Sequence, residues 1–270
     1  MRQRPFSPGR APRITMPVVT APILPGAEPF SAAGGDGGVL VLHGFTGNPQ
    51  SMRSLAEAFA KAGHAVDLPL LPGHGTAVED LIPKRWSDWA EAAEAAYAEL
   101  AARCSRVVAA GLSMGGLLAL WLATRHDDLA GVAAINPFVE EPAQSFRDIL
   151  VGILATGSLT LPAIGSDICR PGVEESAYAA TPIEAALSLF DAAGEVAADL
   201  GKIHCPVLLF SSRQDHVVPT TSGDRVAAEV AGPVERVWIE RSYHVATLDW
   251  DREEVESRAV SFAGTVFGAA

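Results

Sequence analysis

A serine hydroxyl is a weak nucleophile at neutral pH. It needs a base to take its proton and an acid to orient that base. Ser113 is the residue that invites this test. It stands in Gly111-Leu112-Ser113-Met114-Gly115. The apolar run Val107-Val108-Ala109-Ala110 leads into it, and a helical pattern from Leu117 to Thr124 follows. A strand-to-helix turn of this kind lifts the hydroxyl above a sheet. Gly111 and Gly115 relieve the crowding of such a turn, and Gly116 lets the helix pack closely. A bare G-x-S-x-G string is frequent by chance, but one set between a buried strand and a helix is specific. The plain alternative is a structural turn serine.

The base must be a histidine. His43, His64, His74, His126, His204 and His216 compete with His244. Only His244, in Ser242-Tyr243-His244-Val245-Ala246, follows the last expected strand and lies downstream of both serine and acid. The order nucleophile, acid, base goes with an elbow of this type. Asp215 follows the apolar run Pro206 to Phe210, where a carboxylate can reach the imidazole and fix its tautomer. Asp249 and Asp191 are its rivals. Asp249 reads as a helix start, and His216 as a loop residue beside the acid.

Attack on a carbonyl also requires donors for the oxyanion. One comes from the backbone N–H after the nucleophile, here Met114. The other comes from the loop after an earlier strand, His43-Gly44-Phe45, with Phe45 as donor. The Phe45 side chain is then free to pack as a core aromatic.

Other chemistries find no support. The histidines lack H-x-x-x-H and H-E-x-x-H spacing, so no metal site is expected. No glycine-rich nucleotide fingerprint is present, so no cofactor is expected. The net charge of -12 disfavours nucleic acid and anionic lipid head groups. Three scattered cysteines, Cys104, Cys169 and Cys205, form no disulfide framework and suit a cytoplasmic protein with reduced thiols. Four prolines and four arginines within residues 1–17 leave no apolar run for a signal peptide. A loose tail over residues 1–16 is expected, with Met16 as a second candidate start.

The elements that must position these residues alternate between strand and helix. Strands are expected at Gly38–Leu42, Ala65–Leu68, Val107–Ala110, Val132–Ile135, Pro206–Phe210 and Val237–Ile239. Helices are expected over about Pro49–Ala62, Trp86–Arg103 and Glu253–Val266. Continuous apolar strands alternating with helices define an α/β class with a mostly parallel sheet covered on both faces. The core then comprises residues 17–136 and 201–270. Residues 137–200 break the rhythm: short helical patterns interrupted by Pro142, Gly157, Pro162, Pro171 and Pro182, with no strand. This block is read as a cap inserted over the site.

Together, His43-Gly44-Phe45-Thr46-Gly47, Gly111-Leu112-Ser113-Met114-Gly115-Gly116, Asp215-His216-Val217-Val218-Pro219 and Ser242-Tyr243-His244-Val245-Ala246-Thr247-Leu248-Asp249 resemble the bacterial monoacylglycerol lipases and related carboxylesterases. The resemblance runs from about Pro25 to the C-terminus. It implies the α/β-hydrolase fold and hydrolysis of monoacylglycerols through an acyl-enzyme on Ser113. A broad carboxylesterase is the near alternative, and a non-catalytic ligand-binding relative the distant one. Within the cap, Ile164-Gly165-Ser166-Asp167-Ile168 and Glu174-Glu175-Ser176-Ala177-Tyr178 are similar to the cap of that family. By position, the resemblance implies that Glu175 and Ile164 help hold the glycerol of the substrate. The apolar string Phe146 to Leu161 suits an acyl pocket, and the cap is expected to touch membrane or lipid aggregates transiently.

Overall fold

A computed structural model describes residues 21–268. The tail expected over residues 1–16 lies outside the described residues. The N-terminal part builds β1 (Phe30–Ala32), β2 (Gly37–Leu42), α1 (Arg53–Lys61), β3 (Ala65–Leu68), α2 (Val78–Leu81) and α3 (Trp86–Ala101). Next come β4 (Arg106–Leu112), α4 (Met114–Ala123) and β5 (Gly131–Ile135). The segment after β5 holds α5 (Gln144–Ala155), β6 (Thr160–Pro162), β7 (Ala180–Pro182) and α6 (Ile183–Asp199). The chain closes with β8 (Val207–Ser212), α7 (Thr220–Glu229), β9 (Val234–Ile239) and α8 (Arg252–Gly268).

Seven strands form one sheet in the order β1-β3-β2-β4-β5-β8-β9. Only β1 is antiparallel. The central strands β2, β4, β5 and β8 are buried on both sides because both faces are covered, whereas β1 and β9 at the edges are partly exposed. Leu40 and Leu42 pack into one core with α3, α4 and α6. Val39 and Val41 pack into the other, with α1 and α8. Both layers exclude water from the strands, as a parallel sheet requires.

Register places the site. Leu42 pairs with Gly111, Leu112 with Ile135, and Ser212 with Ile239. The carboxyl ends of these strands therefore form one rim. The chain leaves β2 toward β3 on one side, then returns to β4 on the other. Ligands bind at such a reversal of strand order, beyond the carboxyl ends. Ser113 follows β4 at that point.

Several boundaries differ from the sequence pattern. β1, α2 and α7 carried no readable signal; β1 is three residues long and α2 four. Helix α4 begins at Met114, directly after the serine, rather than at Leu117. The segment 137–200 does contain strands. β6 and β7 pair antiparallel as a short ribbon, too short to show an alternating pattern, and each ends in a proline. Pro182 does not break α6. It sits at the N-cap, where its missing N–H costs nothing, and α6 then runs unbroken.

Candidate active site

Ser113 adopts φ 55° and ψ -116°, a region that non-glycine residues rarely occupy. Such strain costs of order 1–3 kcal/mol and persists only where the surroundings hold it. Here the Ser113 N–H donates to the Ile135 carbonyl at 3.0 Å, and its own carbonyl accepts from Leu117 and Phe138. A side chain at Gly115 would place its Cβ 2.1 Å from the Leu42 carbonyl oxygen. Glycine is therefore required for the start of α4 to lie against the end of β2.

His244 Nδ1 lies 2.8 Å from Asp215 Oδ2, and both side chains are almost fully buried. The other carboxylate oxygen of Asp215 accepts from the N–H groups of Val217 and Val218, at 2.8 and 2.7 Å. That turn fixes the acid. The backbone of His244 is also held: its carbonyl accepts from Asn136 Nδ2 at 2.8 Å, and its N–H donates to Asp167 Oδ2 at 3.1 Å. Burial opposes charging of the His244 imidazole. The bond and charge of Asp215, with the charges of Glu175 and Asp167, outweigh it and raise its pKa above 6.5.

The loop after β2 is built for rigidity. The His43 ring accepts the Leu71 N–H at Nε2, 3.1 Å away, so Nδ1 carries the proton and donates to the Gly44 carbonyl at 2.9 Å. Burial holds its pKa down at about 4, which keeps it neutral. His43, His74 and Trp89 form a buried aromatic cluster with mostly edge-to-face contacts, and the half-buried Phe45 packs against it. Thr46 takes φ 63°, a strained value for a β-branched residue. The Phe45 side chain packs while its N–H finds no acceptor among the described residues. The Met114 N–H opens α4, where a helix has no internal acceptor to offer.

Ser113, Phe45, His244, Glu175 and Ile164 all line one cavity of about 530 Å³. Phe138, Phe146, Leu150, Leu161, Leu189 and Phe190 make much of its wall apolar. Glu175 lies over the loop after β2: its Oε1 would be 2.6 Å from a Cβ at Gly47. Burial raises the Glu175 pKa, against the pull of His244 and the Ser51 hydroxyl. Ile164 is 73% exposed and marks the mouth rather than the interior.

The other two acids make different contacts. Asp191 of α6 pairs with Arg147 of α5. Asp249 does not start a helix, because α8 begins at Arg252. Its carboxylate instead accepts four backbone N–H groups, from Cys169, Arg170, Tyr243 and Trp250. It thus pins the Cys169–Arg170 stretch, between β6 and β7, to the loop carrying His244. His216 lies in a loop, as expected, but its ring is paired with Asp167. Asn136, Asp167 and Asp249 are not legible as site residues, because their partners lie 49 to 108 residues away in the chain or are backbone groups. No group of three or more His, Cys, Asp or Glu residues that could hold a metal is present among the described residues.

A parallel sheet whose central strand ends in a strained serine elbow, with histidine and acid on later strands' loops, is the architecture of an α/β-hydrolase. Comparison with known proteins narrows the class. The family model described as "Serine aminopeptidase, S33" (Hydrolase_4) matches residues 35–251. The chain belongs to that family. It is 45% identical over 244 residues to a thermostable monoacylglycerol lipase of Bacillus sp. (strain H-257), covering 89% of this chain and 96% of the relative. It is 28% identical over 238 residues to a carboxylesterase of Bacillus subtilis (strain 168), covering 87% and 95%. Among solved structures, one from work on the metagenome-derived lipolytic enzymes LipS and LipT superposes with a TM-score of 0.86 at 41% identity. That match covers 90% of this chain and all of the other.

Proposed function

We propose that the protein is a carboxylic ester hydrolase that cleaves monoacylglycerols to fatty acid and glycerol through an acyl-enzyme on Ser113. His244 takes the Ser113 proton as Oγ attacks the ester carbonyl carbon. The carbonyl π electrons move to oxygen, and that oxyanion accepts from the N–H groups of Phe45 and Met114. Each donor contributes on the order of 3 kcal/mol of transition-state stabilisation. The intermediate collapses, the bond to the glycerol oxygen breaks, and His244 returns its proton to that oxygen. Water, deprotonated by His244, then attacks the acyl carbon, and the Ser113–acyl bond breaks with the proton passing back to Oγ. Asp215 keeps the imidazole in the required tautomer and stabilises the imidazolium.

One observation favours a glycerol ester. Glu175 is a half-buried carboxylate in a mostly apolar cavity, and its charge acts on His244. The departing alcohol must lie beside His244 to be protonated. A carboxylate there accepts from free hydroxyls on that alcohol, which a monoacylglycerol has and a triacylglycerol lacks. The apolar wall then takes the acyl chain. The 45% identical monoacylglycerol lipase supports the same reading. A broad carboxylesterase is the second reading, favoured by the resemblance to the Bacillus subtilis carboxylesterase. Rates on a medium-chain monoacylglycerol, the matching triacylglycerol and short p-nitrophenyl esters separate the two. Glu175→Ala should lower monoacylglycerol turnover more than p-nitrophenyl ester turnover; equal loss on both contradicts glycerol recognition.

The cap is proposed to touch aggregates of its lipid substrate. Phe146, Ile149, Val151, Leu159 and Ile164 are exposed on it, and residues 149–166 carry no charge. A chain of net charge -12 favours neutral rather than anionic surfaces. Ile149→Glu should slow hydrolysis of dispersed monoacylglycerol and spare a soluble short ester; equal effects on both contradict the contact. None of the helices of the described residues is long and apolar enough to cross a membrane. Three unpaired thiols support a reducing, cytoplasmic setting, which finding the native protein in the extracellular fraction would contradict.

A further inference from the structure

We propose that Asp167, a carboxylate of the cap segment, is a positioning residue for the catalytic base and acid, acting on both of their loops at once. One oxygen, Oδ2, accepts the N–H of His244 and the N–H of His216, each at 3.1 Å. The other, Oδ1, lies 2.8 Å from His216 Nδ1. His216 is the residue next to Asp215, so one carboxylate spans the loop after β8 and the loop after β9. The backbone of Asp167 joins in: its carbonyl accepts the Val245 N–H at 3.1 Å. His244 is therefore bracketed, with Val245 and its own N–H held by the cap and its carbonyl held by Asn136 of the core.

The arrangement fits positioning better than simple surface pairing. The Asp167 side chain is 11% exposed, whereas His216 is 57% exposed. Two of its three polar partners are backbone N–H groups, which fix geometry without depending on protonation. Asp167 also lines the cavity that Ser113 and His244 share. Its charge acts there in the same sense as that of Asp215, favouring the imidazolium that forms as Ser113 gives up its proton. The groups that act on the His244 ring are Asp215, Glu175 and Asp167, and the titratable groups facing Asp167 in turn are His216 and Tyr243. Because Asp167 belongs to the segment between β6 and β7, seating of the cap and placement of the base are coupled. Asp249 makes the reverse connection, from the core loop to the cap amides of Cys169 and Arg170.

This proposal rests on the reading of Ser113, His244 and Asp215 as the catalytic set, and not on glycerol recognition. A soluble p-nitrophenyl ester is therefore the substrate for its test. The full chain carrying Asp167→Asn, Asp167→Ala or Asp167→Glu is compared with the unmodified protein in kcat, KM, thermal unfolding and the pH profile of kcat/KM. Asn keeps one acceptor oxygen and the side-chain shape but removes the charge. In Asp167→Asn, kcat should fall by about tenfold or more with KM little changed, the scale of a small misplacement of a catalytic group. The acidic limb of kcat/KM should move to lower pH, because the base loses a neighbouring negative charge. Asp167→Glu should bring the limb back toward its original position. An acidic limb that stays in place in both Asp167→Asn and Asp167→Ala overturns the proposal, whatever happens to stability. So does a kcat within about twofold of the unmodified protein, a change of under half a kcal/mol. Full activity in Ser113→Ala would instead remove the catalytic set itself, a separate failure.

Discussion

Replacing Asp249 with alanine should loosen the cap and the base loop together. The carboxylate is 1% exposed and accepts N–H groups from Cys169 at 2.7 Å, Arg170 at 2.9 Å, Tyr243 at 2.9 Å and Trp250 at 2.8 Å. A hydrogen bond to a charged acceptor contributes about 1.5–3 kcal/mol, and a buried donor left unpaired costs a similar amount. The four do not add, because the freed N–H groups move toward water and toward each other's neighbours. A net loss of about 4 kcal/mol is expected, comparable to breaking a buried charged contact on one side. For a chain of this size, that lowers the melting temperature by about 8–16 °C. Scanning calorimetry reads the shift directly. Asp249→Asn keeps one acceptor oxygen and should lose roughly half as much. Because Tyr243 adjoins His244, kcat on a soluble ester should fall in both variants. A melting temperature within about 2 °C of the original in Asp249→Ala would refute the reasoning, since it would mean that the four bonds contribute nothing net.

Two further outcomes follow from the same geometry. Asp215→Asn keeps the shape of the acid but stabilises the wrong imidazole tautomer, so kcat should drop by about 10⁴-fold with the fold intact; a drop of under about tenfold would remove Asp215 from its role. His244 must be neutral to act as base, and its neighbours raise its pKa, so kcat/KM should rise with pH through an acidic limb centred above pH 6.5; a limb centred below that value contradicts the charge arrangement around the ring.

Much of this molecule is legible in its sequence, for identifiable reasons. The central strands of the sheet are buried on both faces, so they show as unbroken apolar runs such as Val39-Leu40-Val41-Leu42. Ser113 stands out because its glycines are forced by close backbone approach, Gly115 against Leu42 above all. His244 and Asp215 are suggested by their places after particular strands, and the structure brings their side chains to 2.8 Å of each other. What is hidden is contact between distant side chains and backbone. Asp167 reaches His244 across 77 residues, and Asp249 reaches Cys169 across 80, so no local spacing announces either. The ribbon of β6 and β7 escapes for a different reason: three residues cannot display a period of two. Pro182 misled because a proline inside a helical pattern and a proline at its first boundary look alike until the cap is seen.

Ester hydrolysis on this site proceeds through acylation of Ser113. The most direct measurement is active-site labelling with a fluorophosphonate, followed by intact-mass and peptide mass spectrometry. One adduct per chain should appear, on the peptide containing Ser113, with activity lost in proportion to labelling and no adduct in Ser113→Ala. Labelling at another serine, or full activity in a chain fully modified at Ser113, would contradict it.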